Sequence, residues 1–205
     1  MDYLAPTYYF DYESDEIQTM IAPFKSNDMS QKEKAKALYL LIRDSYRYNP
    51  YDVSFSADRY RSSLISKRQT GHCLDKSILY ISGLRALGIP ARIHLAKVKN
   101  HIGVERLMEK LGTNELTPHG MVNLFIDEKW LKASPAFNKE LCLKCNVAPL
   151  DFNGEEDSVF QEYSIDGNLF MEYLEDYGHF PDVPLDFIEQ NIKSHYPHLF
   201  LEEEI

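Results

Sequence analysis

With 205 residues, 44% hydrophobic and 26% charged, the chain is long enough to bury a sizeable core and does not have a disordered composition. Its net charge of −10, from 22 basic and 32 acidic residues, argues against nucleic acid or an anionic membrane as partner, because an acidic surface repels phosphate. No apolar run is long enough to span a membrane, the opening Met1-Asp2-Tyr3-Leu4-Ala5-Pro6 is unlike a secretory signal, and three cysteines make no disulfide scaffold, so a soluble cytoplasmic protein is expected.

Aromatic and acidic residues crowd the amino-terminal stretch without a clean period, and a short helix is expected over 16–22, ended near Pro23. Ser30-Gln31-Lys32-Glu33 has capping-box spacing, and Leu38, Leu41, Ile42, Ser45 and Tyr46 then recur at helical steps, predicting a helix that Asn49-Pro50 stops. Residues 51–70 read as an ordered loop. A second helix is predicted from Cys73 to Leu87, closed by Gly88 and Pro90, followed by a strand over 91–98 and a short helix from Glu105 to Leu111 that Gly112 ends. His119 to Ile126 and Lys129 to Ala133 read as a hairpin turning at Asp127-Glu128. Beyond Pro149 the chain is acidic and less periodic, with a helix expected from Pro184 to His195 and a solvated tail at Glu202-Glu203-Glu204. This order of elements predicts an α+β fold. One domain is expected over 1–205, with a core at 30–140, an amino-terminal extension at 1–29 and a carboxy-terminal extension at 141–205.

Cys73 is the first candidate for chemistry. At the start of a helix, unpaired amides and the positive end of the helix dipole favour a thiolate, so a lowered thiol pKa is expected. Gly71 would let the backbone turn sharply and a substrate carbonyl approach. The polar neighbours His72, Asp75 and Lys76 favour a cleft over deep core, although most cysteines are simply buried small hydrophobes. The candidate base is His119. If Ile126 pairs with Lys129, Met121 faces Ser134 and His119 faces Ala136, and alternation puts His119, Met121, Ser134 and Asn138 on one face. A nucleophile, a base and a group holding the base are what covalent acyl transfer requires. The Cys73 amide is the first candidate oxyanion donor, with Gln69 or Tyr60 as a second.

Gly71-His72-Cys73-Leu74-Asp75, continuing through Gly83-Leu84-Arg85-Ala86-Leu87-Gly88-Ile89-Pro90-Ala91-Arg92, resembles the nucleophile block of the transglutaminase-like superfamily. His119 with Leu124-Phe125-Ile126-Asp127, Lys129-Trp130 and Ser134-Pro135 resembles its histidine hairpin, so the likeness covers about residues 30–140. The resemblance implies a papain-like α+β core, a nucleophile helix packed on an antiparallel sheet, and a Cys–His–acid triad acting on amides. Cys73 and His119 match the first two roles. Where the family has Asp before the proline, this chain has Ser134, so the acid role does not carry over. Papain-like enzymes work with a neutral asparagine there, so Asn138 or Ser134 is expected to orient His119, whereas Asp127 at the hairpin tip lies too far along the strand.

Other signals are weaker. Cys142-Leu143-Lys144-Cys145 offers at most two zinc ligands and reads as structural thiols, with thiol-redox chemistry the weaker alternative. Trp130 reads as a hairpin anchor, and residues 101–118 as a lid or a plain surface excursion. No phosphate loop or calcium spacing is present, so neither cofactor nor metal is expected. The expected activity is cysteine-dependent acyl transfer on peptide or protein amides through a thioester, as peptidase, amidase or transglutaminase-like enzyme. The alternative is a catalytically degenerate peptide-binding module.

Overall fold

The computed structural model describes residues 2–26 and 28–200; the Glu202–Glu204 tail lies outside them. Helix α1 (Asp15–Ile21) runs into a 3-10 turn at Ala22–Phe24, and α2 (Gln31–Ser45) opens on Ser30 with both capping-box hydrogen bonds made. It ends before the Asn49-Pro50 stop, because Tyr46 is already extended and Arg47–Tyr48 (β1) pairs in parallel with Thr70–Gly71 (β2). Ser45, expected in the buried stripe, is exposed, and Ala35, Tyr39 and Arg43 join Leu38 and Ile42 inside. Between β1 and β2 the loop holds a 3-10 turn at Ala57–Tyr60 and the single-turn α3 (Ser62–Ile65).

Helix α4 (Cys73–Ala86) is the centre of the molecule, buried from Cys73 through Arg85. It has no exposed face over that span because α1, α2 and α3 pack on it together with β3 and β4 of the main sheet. That sheet orders its strands β5-β4-β3-β6, all antiparallel: β3 (Ala91–Asn100), β4 (Glu115–Ile126), β5 (Lys129–Ala133) and β6 (Met171–Phe180). The α+β architecture, with the helix that starts at Cys73 laid on an antiparallel sheet, is the one expected. Asp127 and Glu128 turn the hairpin with φ of 50° and 63°, and Ile126 pairs with Lys129 in the expected register.

Three features depart from expectation. Residues 101–118 form the expected α5 (Glu105–Leu111), closed by the left-handed Gly112, and the first residues of a β4 that is longer than expected, starting at Glu115 rather than His119. The β4–β5 ladder stops at Val122–Ala133, so the Met121–Ser134 and His119–Ala136 pairs are not made as strand pairs. Pro135 has no N–H to extend it. In the carboxy-terminal region, α7 (Leu185–His195) is the helix expected, but α6 (Lys139–Lys144) and β6 were not foreseen, and β6 makes β3 an interior strand. Trp130 does anchor the hairpin, with Phe125 and Tyr3 against its ring and the Arg92 guanidinium 4.0 Å above it.

Candidate active site

Where β5 leaves β4, the first turn of α4 takes its place. A Cβ at Gly120 would fall 3.0 Å from the Leu74 Cα and 3.2 Å from its nitrogen, so only glycine lets the helix start this close to the strand. The Cys73 sulfur thereby comes to the backbone amide of Gly120, the residue after His119. Behind it, His72 caps the helix: its Nδ1 accepts from the Leu74 and Asp75 amides at 3.1 and 3.3 Å, while Asp75 Oδ2 accepts from the His72 amide at 3.0 Å. Both Asp75 oxygens are held by Arg59, at 2.5 and 2.9 Å. Lys76 donates to the carbonyls of Arg43, Tyr46 and Ala136 at 2.8, 2.9 and 2.7 Å, fastening the helix start to α2 and to the segment beyond β5. Burial with no carboxylate in contact pulls its pKa down to about 7.

These contacts correct two expectations. The polar neighbours of Cys73 do not mark an open cleft, since His72, Asp75 and Lys76 are all buried and internally paired. Nor is the thiol activated at rest. Burial pushes the Cys73 pKa up to about 11, and the amides of Gly120, Leu74 and Cys73 itself, which favour the thiolate, only partly oppose it. Gly71 serves packing rather than a sharp turn, its missing Cβ lying 3.1 Å from that of Asp75.

Cys73 opens on a small cavity of about 60 Å³, walled by Tyr48, Tyr60, Thr117, Pro118 and, from the end of α7, Tyr196. The Tyr60 hydroxyl is buried without a hydrogen-bond partner among the described residues, which fits it better than Gln69 for the second oxyanion position. Gln69 is not in the lining and uses its carbonyl to accept from Arg47.

His119 is 1% exposed, and neither ring nitrogen has a hydrogen-bond partner among the described residues. Burial pulls its pKa down to about 4, so the ring is neutral. Neither expected orienting group reaches it. Asn138 Oδ1 accepts from the Tyr48 amide at 3.0 Å, tying β1 to the start of α6. Ser134 accepts from the Tyr39 hydroxyl at its carbonyl and donates its N–H to Ser158, both at 2.9 Å. Asp127 stays at the hairpin tip, 3.6 Å from Lys32. The structure therefore brings Cys73 beside the His119 strand, but leaves Ser134 and Asn138 in structural contacts.

A family model described as the transglutaminase-like superfamily matches residues 18–135, more than half of the chain and including Cys73, His119 and Ser134. The chain belongs to that superfamily. Among solved structures, it is similar to a chain described as a "putative cysteine protease" from Cytophaga hutchinsonii, with a TM-score of 0.52 and 14% identity. The match covers 91% of this chain and 48% of that one, so this chain spans about half the length of the structure it resembles, and the likeness is one of fold. No curated protein matches.

In this transglutaminase-like chain, sequence reasoning missed Arg59 and Tyr196 as parts of the site and read Lys76 as a cleft residue rather than a buried one. Capping-box spacing at His72 and Asp75 was a readable signal for the cap. Nothing local announces that Arg59 and Lys76 are buried, or that Tyr196 returns to wall the cavity. Cys142 and Cys145 are free thiols that line a cavity other than the one at Cys73. No described helix is long and apolar enough to cross a membrane.

Proposed function

We propose that the chain is a cysteine-dependent acyl-transfer enzyme acting on peptide or protein amides, with Cys73 as nucleophile and His119 as base. His119 takes the Cys73 proton, the thiolate adds to the amide carbonyl, and His119 returns the proton to the departing amine. This leaves a thioester that water or a second amine resolves. The Cys73 and Gly120 amides and the Tyr60 hydroxyl are the candidate donors to the developing oxyanion. The observation that carries the reading is the Cys73 sulfur at a helix start, open to a cavity and against the residue that follows a neutral, uncommitted imidazole. With the thiol pKa near 11 and the imidazole near 4, the resting pair is neutral, and proton transfer accompanies attack rather than preceding it. The reaction as drawn uses no cofactor or metal, its setting is the cytoplasm, and residues 30–140 form its core with both extensions in one domain.

The test is mass-spectrometric labelling with a peptidyl vinyl sulfone. The expected result is a single adduct on Cys73, slowed at least 100-fold in His119→Ala. An adduct only on Cys142 or Cys145, or an unchanged rate in His119→Ala, would overturn the assignment.

A degenerate peptide-binding module is the second reading, and it has its own observation: among the described residues His119 has no orienting partner, and Ser134 stands at the acid position. It predicts peptide affinity that survives Cys73→Ala, with no covalent adduct.

A further inference from the structure

Beside the Cys73 cavity lies a larger one of about 250 Å³, and Tyr48, Pro50 and Leu116 belong to both walls. A cavity of roughly 150 Å³ already holds a benzene-sized ligand, so this one has room for a branched or aromatic side chain and an adjoining polar group. Leu107, Phe137 and Phe170 make its lining mainly apolar. Two polar side chains in that lining are uncommitted. Asn100 is 7% exposed, and its Oδ1 is buried without a partner among the described residues. Its backbone is already satisfied by Asn114, at 2.9 Å through the N–H and 2.7 Å through the carbonyl, so the carboxamide is the free part. Arg106, from α5, is exposed, lies 5.0 Å over the Tyr51 ring, and makes no ion pair or side-chain hydrogen bond among the described residues.

A buried acceptor without a donor calls for an N–H from outside, and the exposed Arg106 guanidinium beside the same cavity has the fork geometry that pairs with a carboxylate. We propose that this cavity binds an N-acylated apolar amino-acid unit, such as the carboxy-terminal residue of a peptide. Its side chain packs among Leu107, Phe137 and Phe170, its amide N–H donates to Asn100 Oδ1, and its carboxylate meets Arg106. That this unit belongs to the substrate of Cys73 rests on the acyl-transfer reading; the binding itself does not.

The experiment is isothermal titration of the full chain with N-acetyl-L-leucine. Saturable binding is expected, weakened about tenfold in Arg106→Met, in Asn100→Leu and with the methyl ester of the probe, and unchanged in Cys73→Ala. Tenfold corresponds to about 1.4 kcal/mol, the scale of one hydrogen bond. Because Arg106 is exposed and unpaired, its variant and the ester keep the test decisive even where Asn100→Leu fails to fold. No saturable binding, or equal affinity for the acid and the ester and for Arg106→Met, overturns the proposal. Intact binding with no Cys73 adduct would instead remove the acyl-transfer reading and leave the pocket standing.

Discussion

A buried imidazole with neither nitrogen hydrogen-bonded among the described residues, as at His119, destabilises its own fold, because desolvated polar atoms have lost water and gained nothing in exchange. The His119 pKa is about 4 folded against about 6.5 unfolded, so between those values the unfolded chain takes up a proton that the folded chain refuses. Stability is therefore whole above about pH 6.5 and falls as the pH drops, by about 3 kcal/mol once it is below 4. His72 and His94, whose pKa values burial also lowers, add to this acid sensitivity. His119→Leu is expected to be at least as stable as the wild type at pH 7.5 and about 3 kcal/mol more stable at pH 4, read from urea unfolding. An equal loss at both pH values would mean that the ring is held by contacts its burial does not explain. The identity of Cys73 and His119 as candidates was legible in the sequence, since helix-start and strand positions follow local spacing. Their protonation was not. The helix start argues for a low thiol pKa, and burial, which only packing decides, outweighs it.

At the scale of elements, the site depends on one close approach, α4 against β4 at Gly120. Gly120→Ala puts a methyl 3.0 Å from a backbone atom of Leu74, which has no flexible end to move aside. The expected cost is about 1–3 kcal/mol in thermal or urea unfolding, with slower labelling of Cys73 as the helix start is pushed from the strand. A variant with full stability and unaltered labelling would show that the gap is wider than described. The helices and the hairpin were largely readable: the capping box at Ser30, the Gly112 stop and the Ile126–Lys129 turn pair all rest on contacts within a few residues. Strand β6 was not, because Met171–Phe180 alternates weakly, carries acids on its exposed side, and shifts register twice against β3. Its partner lies some eighty positions back in the chain, which no local pattern announces.

Across the whole molecule, both extensions are tied into the core by one cation. Arg85 of α4 donates to the carbonyls of Ala91, Ala5 and Pro181 at 2.9, 2.8 and 2.7 Å and lies 4.4 Å over the Phe10 ring. It thus joins α4 and β3 to the amino-terminal segment and to the residue following β6. A fragment of residues 30–140 would lose two of the three carbonyls, expose the β3 edge and remove Tyr196 from the cavity wall. That fragment is expected to lack cooperative thermal unfolding by circular dichroism, whereas the full chain shows it. A cooperative transition in the fragment would mark 30–140 as an independent unit. What the sequence by itself determined is the local layer: α+β class, helix limits, the hairpin turn, and a cysteine and a histidine in superfamily order. Burial of Asp75, Lys76 and His119, the anchoring of Asn138 on Tyr48 rather than on the ring, and the closing of the cavity by Tyr196 were decided only by tertiary structure. The physical reason is that capping and turn geometry are settled within a few residues, while desolvation and hydrogen-bond partners depend on which distant segments pack together.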